Sequence, residues 1–385
     1  MKTALRFVDS STDLDAACDE LATSSRIAVD TEFLRETTYY PKLCLIQLRG
    51  DGDAWVIDPL SGIDLDPLRD LLLDPERLKI FHAARQDLEL FLHLWDAVPR
   101  PLFDTQVAAG LVGVGEGLGL EALTRTLLDV QLPRSEARTD WSRRPLRREQ
   151  LAYAAADVEH LGTMAGMLEE KLEELGRRGW LEQEQKTLFG DDKLRVDPAR
   201  AWKSVKGLGR LRAGERKVGR ALAQWREQAA QERNRPRRRV ISDELLVAIA
   251  KRRPRSLADL EALRGVEGRL SSRDRKAVAQ VAKEALKAPD DEDPSPPRRL
   301  GVQHQAMADL MSALVKLQAE EHRLAPGLLT NRAELESIAR DGDRSRSRAL
   351  EGWRREVVGD VLLALRAGKI RMVVEEGEVE LRDVE

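Results

Sequence analysis

Cysteine is nearly absent from this chain: Cys18 and Cys44 are the only two among 385 residues. That excludes a disulfide framework, and no Cys-x-x-Cys pair or Cys/His set has zinc-ligand spacing. Cys44 lies in an apolar run and reads as a small core residue. Such sparing use of thiols fits a reducing compartment, so a cytoplasmic location is expected. Long apolar runs are missing too. Nothing approaches the roughly 18–20 residues that a membrane span needs. The opening Met1-Lys2-Thr3-Ala4-Leu5-Arg6 is not followed by the apolar stretch of a signal peptide. No membrane association is expected. Nor does one sign of charge dominate, because 64 basic residues nearly balance 67 acidic ones for a net charge of −3. The total therefore says nothing about a polyanionic partner, and charge has to be read locally. There is no Walker loop. The glycines at 113, 115, 117 and 119 lack G-x-G-x-x-G spacing and do not follow a strand. They read as a flexible connection between helices, and no nucleotide cofactor is expected.

What is present is 42% hydrophobic and 34% charged, enough apolar material for two or three folded domains. In the first half, residues 26–33, 43–49, 54–57 and 78–81 have the apolar, β-branched character of strands. Helical patterns fall near 13–23, 65–73, 86–95, 104–112, 119–128 and 149–175. Strands interleaved with helices indicate an α/β domain with a mixed sheet. After about residue 195 no strand is evident until 370–381. Helix caps appear instead, at Ser256 before Leu260 and Leu263 and at Ser242-Asp243 before Leu245, Leu246 and Ile249. Residues 289–299 are acidic and proline-rich and read as an extended linker. The helix order then returns: a helix at 302–321, Pro326-Gly327, a cap at Thr330-Asn331 and a helix at 332–340. This is a weak internal repeat of roughly 90 residues. The resulting layout is 1–190, an α/β domain; 205–288, a helical domain; 289–299, the linker; and 300–385, a second helical domain.

Three stretches carry acids of interest. Asp30 and Glu32 lie two apart in the strand Ile27-Ala28-Val29-Asp30-Thr31-Glu32-Phe33, so they share a face opposite Val29 and Thr31. Side-by-side carboxylates repel unless a cation or proton compensates, and hard divalent cations want several oxygen ligands. A solvated strand face is the alternative. Asp87 opens an amphipathic helix with Leu88, Phe91, Leu92 and Trp95; an acid at a helix N-terminus needs no further explanation by itself. Tyr153 and Asp157 lie one turn apart on an alanine-rich helix, where a structural contact between them explains the pair in isolation.

Together these stretches resemble the DEDD family of 3′–5′ exonucleases, in the branch with a tyrosine in its last motif. The words that carry the resemblance are Val29-Asp30-Thr31-Glu32-Phe33, His82-Ala83-Ala84-Arg85-Gln86-Asp87 and Tyr153-Ala154-Ala155-Ala156-Asp157. Between them, the stretch from Thr38 to Gln47, Phe103-Asp104-Thr105-Gln106 and Thr139-Asp140-Trp141 match as well. The similarity is dense over 25–165 and looser beyond, where the helical repeats resemble the HRDC modules of such nucleases and of RecQ-type helicases.

The resemblance implies a ribonuclease H-like mixed-sheet exonuclease domain followed by two small all-α HRDC-like domains. It implies that Asp30, Glu32, Asp87 and Asp157 are ligands of two divalent cations, Mg²⁺ or Mn²⁺. Asp30 would bridge them, Glu32 and Asp157 would complete one site, and Asp87 would serve the other. Tyr153 would orient the attacking water, since a phenol is a poor base at neutral pH. The implied activity is removal of nucleotides from RNA 3′ ends as 5′-monophosphates, with tRNA precursors as substrates. A DNA 3′–5′ exonuclease is the alternative, because the acids do not sense the 2′-OH; an inactive nucleic-acid-binding protein is a third reading.

Candidate contacts to the terminal nucleotide are Phe33, Gln47 and His82, though His82 also reads as a packed loop histidine. Local charge adds two basic clusters. Residues 203–239 hold 13 basic residues against Glu215, Glu227 and Glu232, or 13 − 3 = +10, and include Arg237, Arg238 and Arg239. Arg134, Arg138, Arg143, Arg144, Arg147 and Arg148 form the second. Phosphate binding is the expected use of both.

Overall fold

The structure, a computed structural model, describes residues 4–133, 135–289 and 300–384. All of the expected linker but residue 289 lies outside them, as does Arg134. The first half runs β1 (Leu5–Val8), α1 (Ser11–Leu21), β2 (Arg26–Leu34), β3 (Lys42–Arg49), β4 (Ala54–Ile57), α2 (Asp66–Leu73), β5 (Leu78–Phe81), α3 (Arg85–Trp95), β6 (Leu102–Asp104), α4 (Thr105–Leu111), α5 (Leu120–Leu128), α6 (Arg148–Glu159), α7 (Leu161–Glu174), α8 (Arg178–Phe189) and α9 (Asp191–Leu194). The strands form one sheet in the order β1-β4-β3-β2-β5-β6. Strand β3 is antiparallel to β2 and β4, whereas β1 on β4, β5 on β2 and β6 on β5 are parallel.

Strand β2 is central and covered on both faces, which explains its apolar start. Ile27 and Val29 join Ile46, Leu48, Ile57 and Phe81 against α1, α2 and α3. Ala28 packs on the other face with Val158, Leu161 and Met164 of α6 and α7. Asp30 and Glu32 follow Ala28 in the period of two and so lie on the α6 side. A register shift between Glu32 and Phe33 ends the regular ladder there. The helix expected over 149–175 breaks at His160 into α6 and α7. This lets α6 cover the acids while Leu161, Met164, Leu168 and Leu172 of α7 bury against the sheet.

The second half contains α10 (Ala213–Glu232), α11 (Arg237–Val240), α12 (Asp243–Arg252), α13 (Leu257–Glu261) and α14 (Ser272–Lys287), around their own core of Leu222, Leu246, Ile249 and Val278. Ser242 and Ser256 cap α12 and α13 through the backbone N–H groups of Leu245 and Asp259. Then come α15 (Val302–Glu321), α16 (Pro326–Leu329) and α17 (Arg332–Asp341). These three have 20, 4 and 10 residues, as do α10, α11 and α12, and each starts 89 residues after its counterpart (302, 326 and 332 against 213, 237 and 243). The two units then diverge. The second continues through α18 (Gly352–Arg354), a π-helical turn (Arg355–Gly359) and α19 (Asp360–Arg366), and closes on the hairpin β7 (Ile370–Glu375) and β8 (Glu378–Asp383), where a strand is expected near 370–381.

The two units meet the six-stranded sheet differently. The second shares one continuous core with it: Leu314, Ile338 and Trp353 cluster with Leu111, Val158 and Met164. Trp353 stacks on Trp180 with ring centroids 4.6 Å apart, and the buried Arg354 pairs with the buried Glu184 at 2.8 Å. The glycine segment is the seat of this unit rather than a flexible connection. Gly113 has φ +82°, and a Cβ there would collide with the carbonyl of Arg323. The first unit instead clasps the loop after β2. Asn234 Oδ1 accepts the backbone N–H groups of Tyr39 and Tyr40, both at 3.0 Å, and the Tyr39 hydroxyl donates to Glu227.

Candidate active site

Asp30 and Glu32 on β2 meet Asp157 of α6, and one carboxylate oxygen from each lies within 4.8 Å of the others. Glu32 and Asp157 are buried, and Asp30 is partly covered. The consequence is electrostatic. Burial, then the carboxylates of Asp30, Asp157 and Asp87, pushes Glu32 up to about 9. Burial and the neighbouring Asp30 push Asp157 to about 9 as well. Burial raises Asp30 to about 7 against the opposing backbone N–H bond of Thr31. Acids held this far above their usual range are carboxylates crowded together without a counter-charge. Asp157 Oδ2 is buried and has no hydrogen-bond partner among the described residues. An all-oxygen set with an orphaned carboxylate oxygen fits a hard divalent cation.

Asp87 stands outside that triad. It is buried in the first turn of α3, and its carboxylate accepts the hydroxyl of Thr31. Burial and then the charge of Asp30 raise it well above the usual carboxylate range, and it contributes to the rise at Glu32. It is therefore a close electrostatic neighbour of the triad.

Tyr153 of α6 lies one turn before Asp157, and its hydroxyl pulls the Asp157 pKa down against the larger effect of burial. Burial, then Asp157, Glu32 and Asp30, raises this phenol further above its ordinary value, so it is neutral and a donor. Trp141 lies beside it with ring centroids 6.2 Å apart.

Two residues that hold the site were not picked out from the sequence. One is Thr31, read only as the face opposite the acids, whose hydroxyl fixes Asp87. The other is Asp104, fully buried at the end of β6. Its carboxylate accepts Gln106 and Val107 N–H at 2.8 and 3.1 Å, capping α4, and Ala83 and Ala84 N–H at 3.3 and 2.8 Å, fixing the turn into α3. Ala83 in that turn has φ +56°. An aspartate between a strand and a helix is a capping signal; that it also serves a second helix is visible only in three dimensions.

The expected nucleotide contacts fare unevenly. Gln47 is fully buried opposite Asp30 on β3, so it cannot touch a base or sugar; its amide atoms have no partner among the described residues. Phe33 is half-buried and packs with the cluster on the face away from Asp30. His82 is a packed loop histidine, with Nδ1 2.9 Å from Thr105 Oγ1 and burial lowering its pKa.

Several members of the basic clusters are committed to protein partners. Arg144 binds both oxygens of the buried Asp58 at 2.5 and 2.6 Å and donates to the carbonyls of Cys44, Trp141 and Arg143, which makes it a structural residue. Arg147 pairs with Glu136. Arg143 pairs with Asp140 at 3.1 Å, yet its side chain is 83% exposed. Within 203–239, Arg226 pairs with Asp243, Arg233 with Asp274 and Arg237 with Glu227, so the count of +10 overstates the free charge. Arg238 and Arg239 are exposed.

Comparison with known proteins agrees with this geometry. A family model described as 3′-5′ exonuclease matches residues 5–173, and one described as HRDC domain matches residues 215–280. The chain is 40% identical to ribonuclease D of Zymomonas mobilis over 98% of this chain and 97% of that protein. It is 38% identical to ribonuclease D of Nitrobacter hamburgensis, covering 97% of this chain and 98% of the other. Among solved structures, Escherichia coli RNase D, described as an exoribonuclease involved in structured RNA processing, superposes with a TM-score of 0.81 at 30% identity, over 94% of this chain and 99% of that one. Among the described residues, no helix is long and apolar enough to cross a membrane.

Proposed function

This chain belongs to the ribonuclease D family of 3′–5′ exoribonucleases, and on that premise we propose that Asp30, Glu32, Asp87 and Asp157 hold two divalent cations, Mg²⁺ or Mn²⁺, for stepwise hydrolysis of RNA from its 3′ end. The observation that carries the proposal is the meeting of three carboxylates within 4.8 Å, one with a buried oxygen that has no hydrogen-bond partner among the described residues. The bound cations supply stabilisation of negative charge on the phosphate and on the leaving 3′ oxygen. Asp30, whose charge raises Glu32, Asp87 and Asp157 alike, would help hold both cations, with Glu32 and Asp157 contributing to one and Asp87 to the other. Tyr153 keeps its proton, and its hydroxyl orients the attacking water beside Asp157. Nucleoside 5′-monophosphates are released.

The substrate is RNA with a free 3′ end, tRNA precursors in particular, and the location is the cytoplasm. A gel time course on a 3′-extended tRNA tests this reading. A ladder that shortens by single nucleotides, stops in EDTA and resumes with Mg²⁺ or Mn²⁺ is expected; one internal cut contradicts it. The same assay on DNA of matched sequence should proceed more slowly.

A further inference from the structure

A cleft between the nuclease sheet and the first helical unit lies outside the carboxylate site. Its two lobes, of about 330 and 620 Å³, join at Arg35, Tyr39, Glu89 and Val196. The smaller lobe is aromatic. Tyr40 stacks on His93 with centroids 3.7 Å apart and rings 2° from parallel, and Tyr39 meets Tyr40 edge-on at 4.8 Å. His93 is exposed, so the stack is open to solvent.

The larger lobe is cationic. The carboxylates lining the cleft are already matched: Glu89 by Arg35 at 3.1 Å, Asp96 by Arg195 at 2.6 Å and Asp243 by the buried Arg226 at 2.6 Å. Lys206 and Arg238 are exposed in this lobe, which leaves their charge as the surplus. A stacking surface beside surplus cations is what single-stranded nucleic acid requires, with bases stacking on the rings and phosphates taking the charge. Arg35 follows Glu32 by three residues, roughly 10 Å of extended chain, so the cleft adjoins the carboxylates.

We propose that this cleft binds the single-stranded RNA upstream of the 3′ end being trimmed, with a base against the Tyr40–His93 stack and phosphates toward Lys206 and Arg238. The proposal rests on the exonuclease reading above. Its test compares kcat/KM of the full chain on a dinucleotide, too short to fill both sites, and on an unstructured RNA of about a dozen nucleotides. Lys206→Glu with Arg238→Glu, and separately His93→Ala, should each lower the long-to-short ratio of efficiencies about tenfold, through KM on the long RNA. All three side chains are exposed, so the variants should fold, and a ratio of efficiencies cancels differences in the amount of active protein. A ratio unchanged in both variants overturns the proposal and leaves the exonuclease reading standing. A wild-type chain inactive on both substrates in Mg²⁺ overturns that reading, and the proposal with it.

Discussion

The Thr31 hydroxyl donates to the Asp87 carboxylate across 56 positions of sequence. Thr31 sits between Asp30 and Glu32, so the strand that presents two acids on one face anchors a third from the other. Thr31→Val removes the donor at nearly constant volume and frees the Asp87 side chain. Activity and apparent Mg²⁺ affinity should fall by about 10–100-fold, as for other groups that orient metal ligands. Thr31→Ser keeps the hydroxyl and should retain most activity. Steady-state rates over a Mg²⁺ titration check this; equal rates for Thr31→Val and wild type would show that Asp87 needs no anchor.

The crowded acids make the metal-free fold sensitive to pH. Asp30 is raised to about 7, and Glu32 and Asp157 to about 9, from ordinary values of 3.8, 4.5 and 3.8. Between the ordinary and the raised values the native state holds more protons than the unfolded chain, so stability falls as pH rises through that window. In EDTA the melting temperature should therefore drop between about pH 5 and about pH 9. Mg²⁺ should restore most of the loss at the upper end, because the cation replaces the protons. A melting curve at pH 9 that is indifferent to Mg²⁺ would speak against cation binding here.

Arg144 is expected to matter for stability rather than for RNA. Truncation to Ala leaves the buried Asp58 without its partner, at a cost of roughly 3 kcal/mol. Denaturant unfolding should report that loss, and the salt dependence of RNA binding should stay as in wild type. A stable Arg144→Ala protein with a flattened salt response would return this arginine to the RNA surface.

How much of this was legible in the sequence follows from the range of each interaction. Asp30 and Glu32 share a face because strands alternate, and that needs only neighbouring residues. The helical repeat was legible because Pro236 and Pro326, with the caps that follow, punctuate both units alike. Gln47 shows the limit of periodicity, which gives the face of a strand but not the depth of what covers it. Its opposition to Asp30 under α6 depends on strand register. Arg144 shows the limit of counting charge, because its partner Asp58 is 86 positions away. The glycine segment looked free because the unit that sits on it begins some 200 residues later in the chain. The role of Asp104 was not legible, because its second pair of donors comes from the turn into another helix.

The most direct test of the cation site is Mn²⁺ binding and RNA cleavage measured side by side in wild type and Asp30→Asn. Two Mn²⁺ per wild-type chain are expected with RNA present. The variant should lose at least one of them and all detectable cleavage while keeping its fold and RNA affinity. An Asp30→Asn protein that binds the full complement of Mn²⁺ and still shortens RNA would contradict the assignment of these carboxylates.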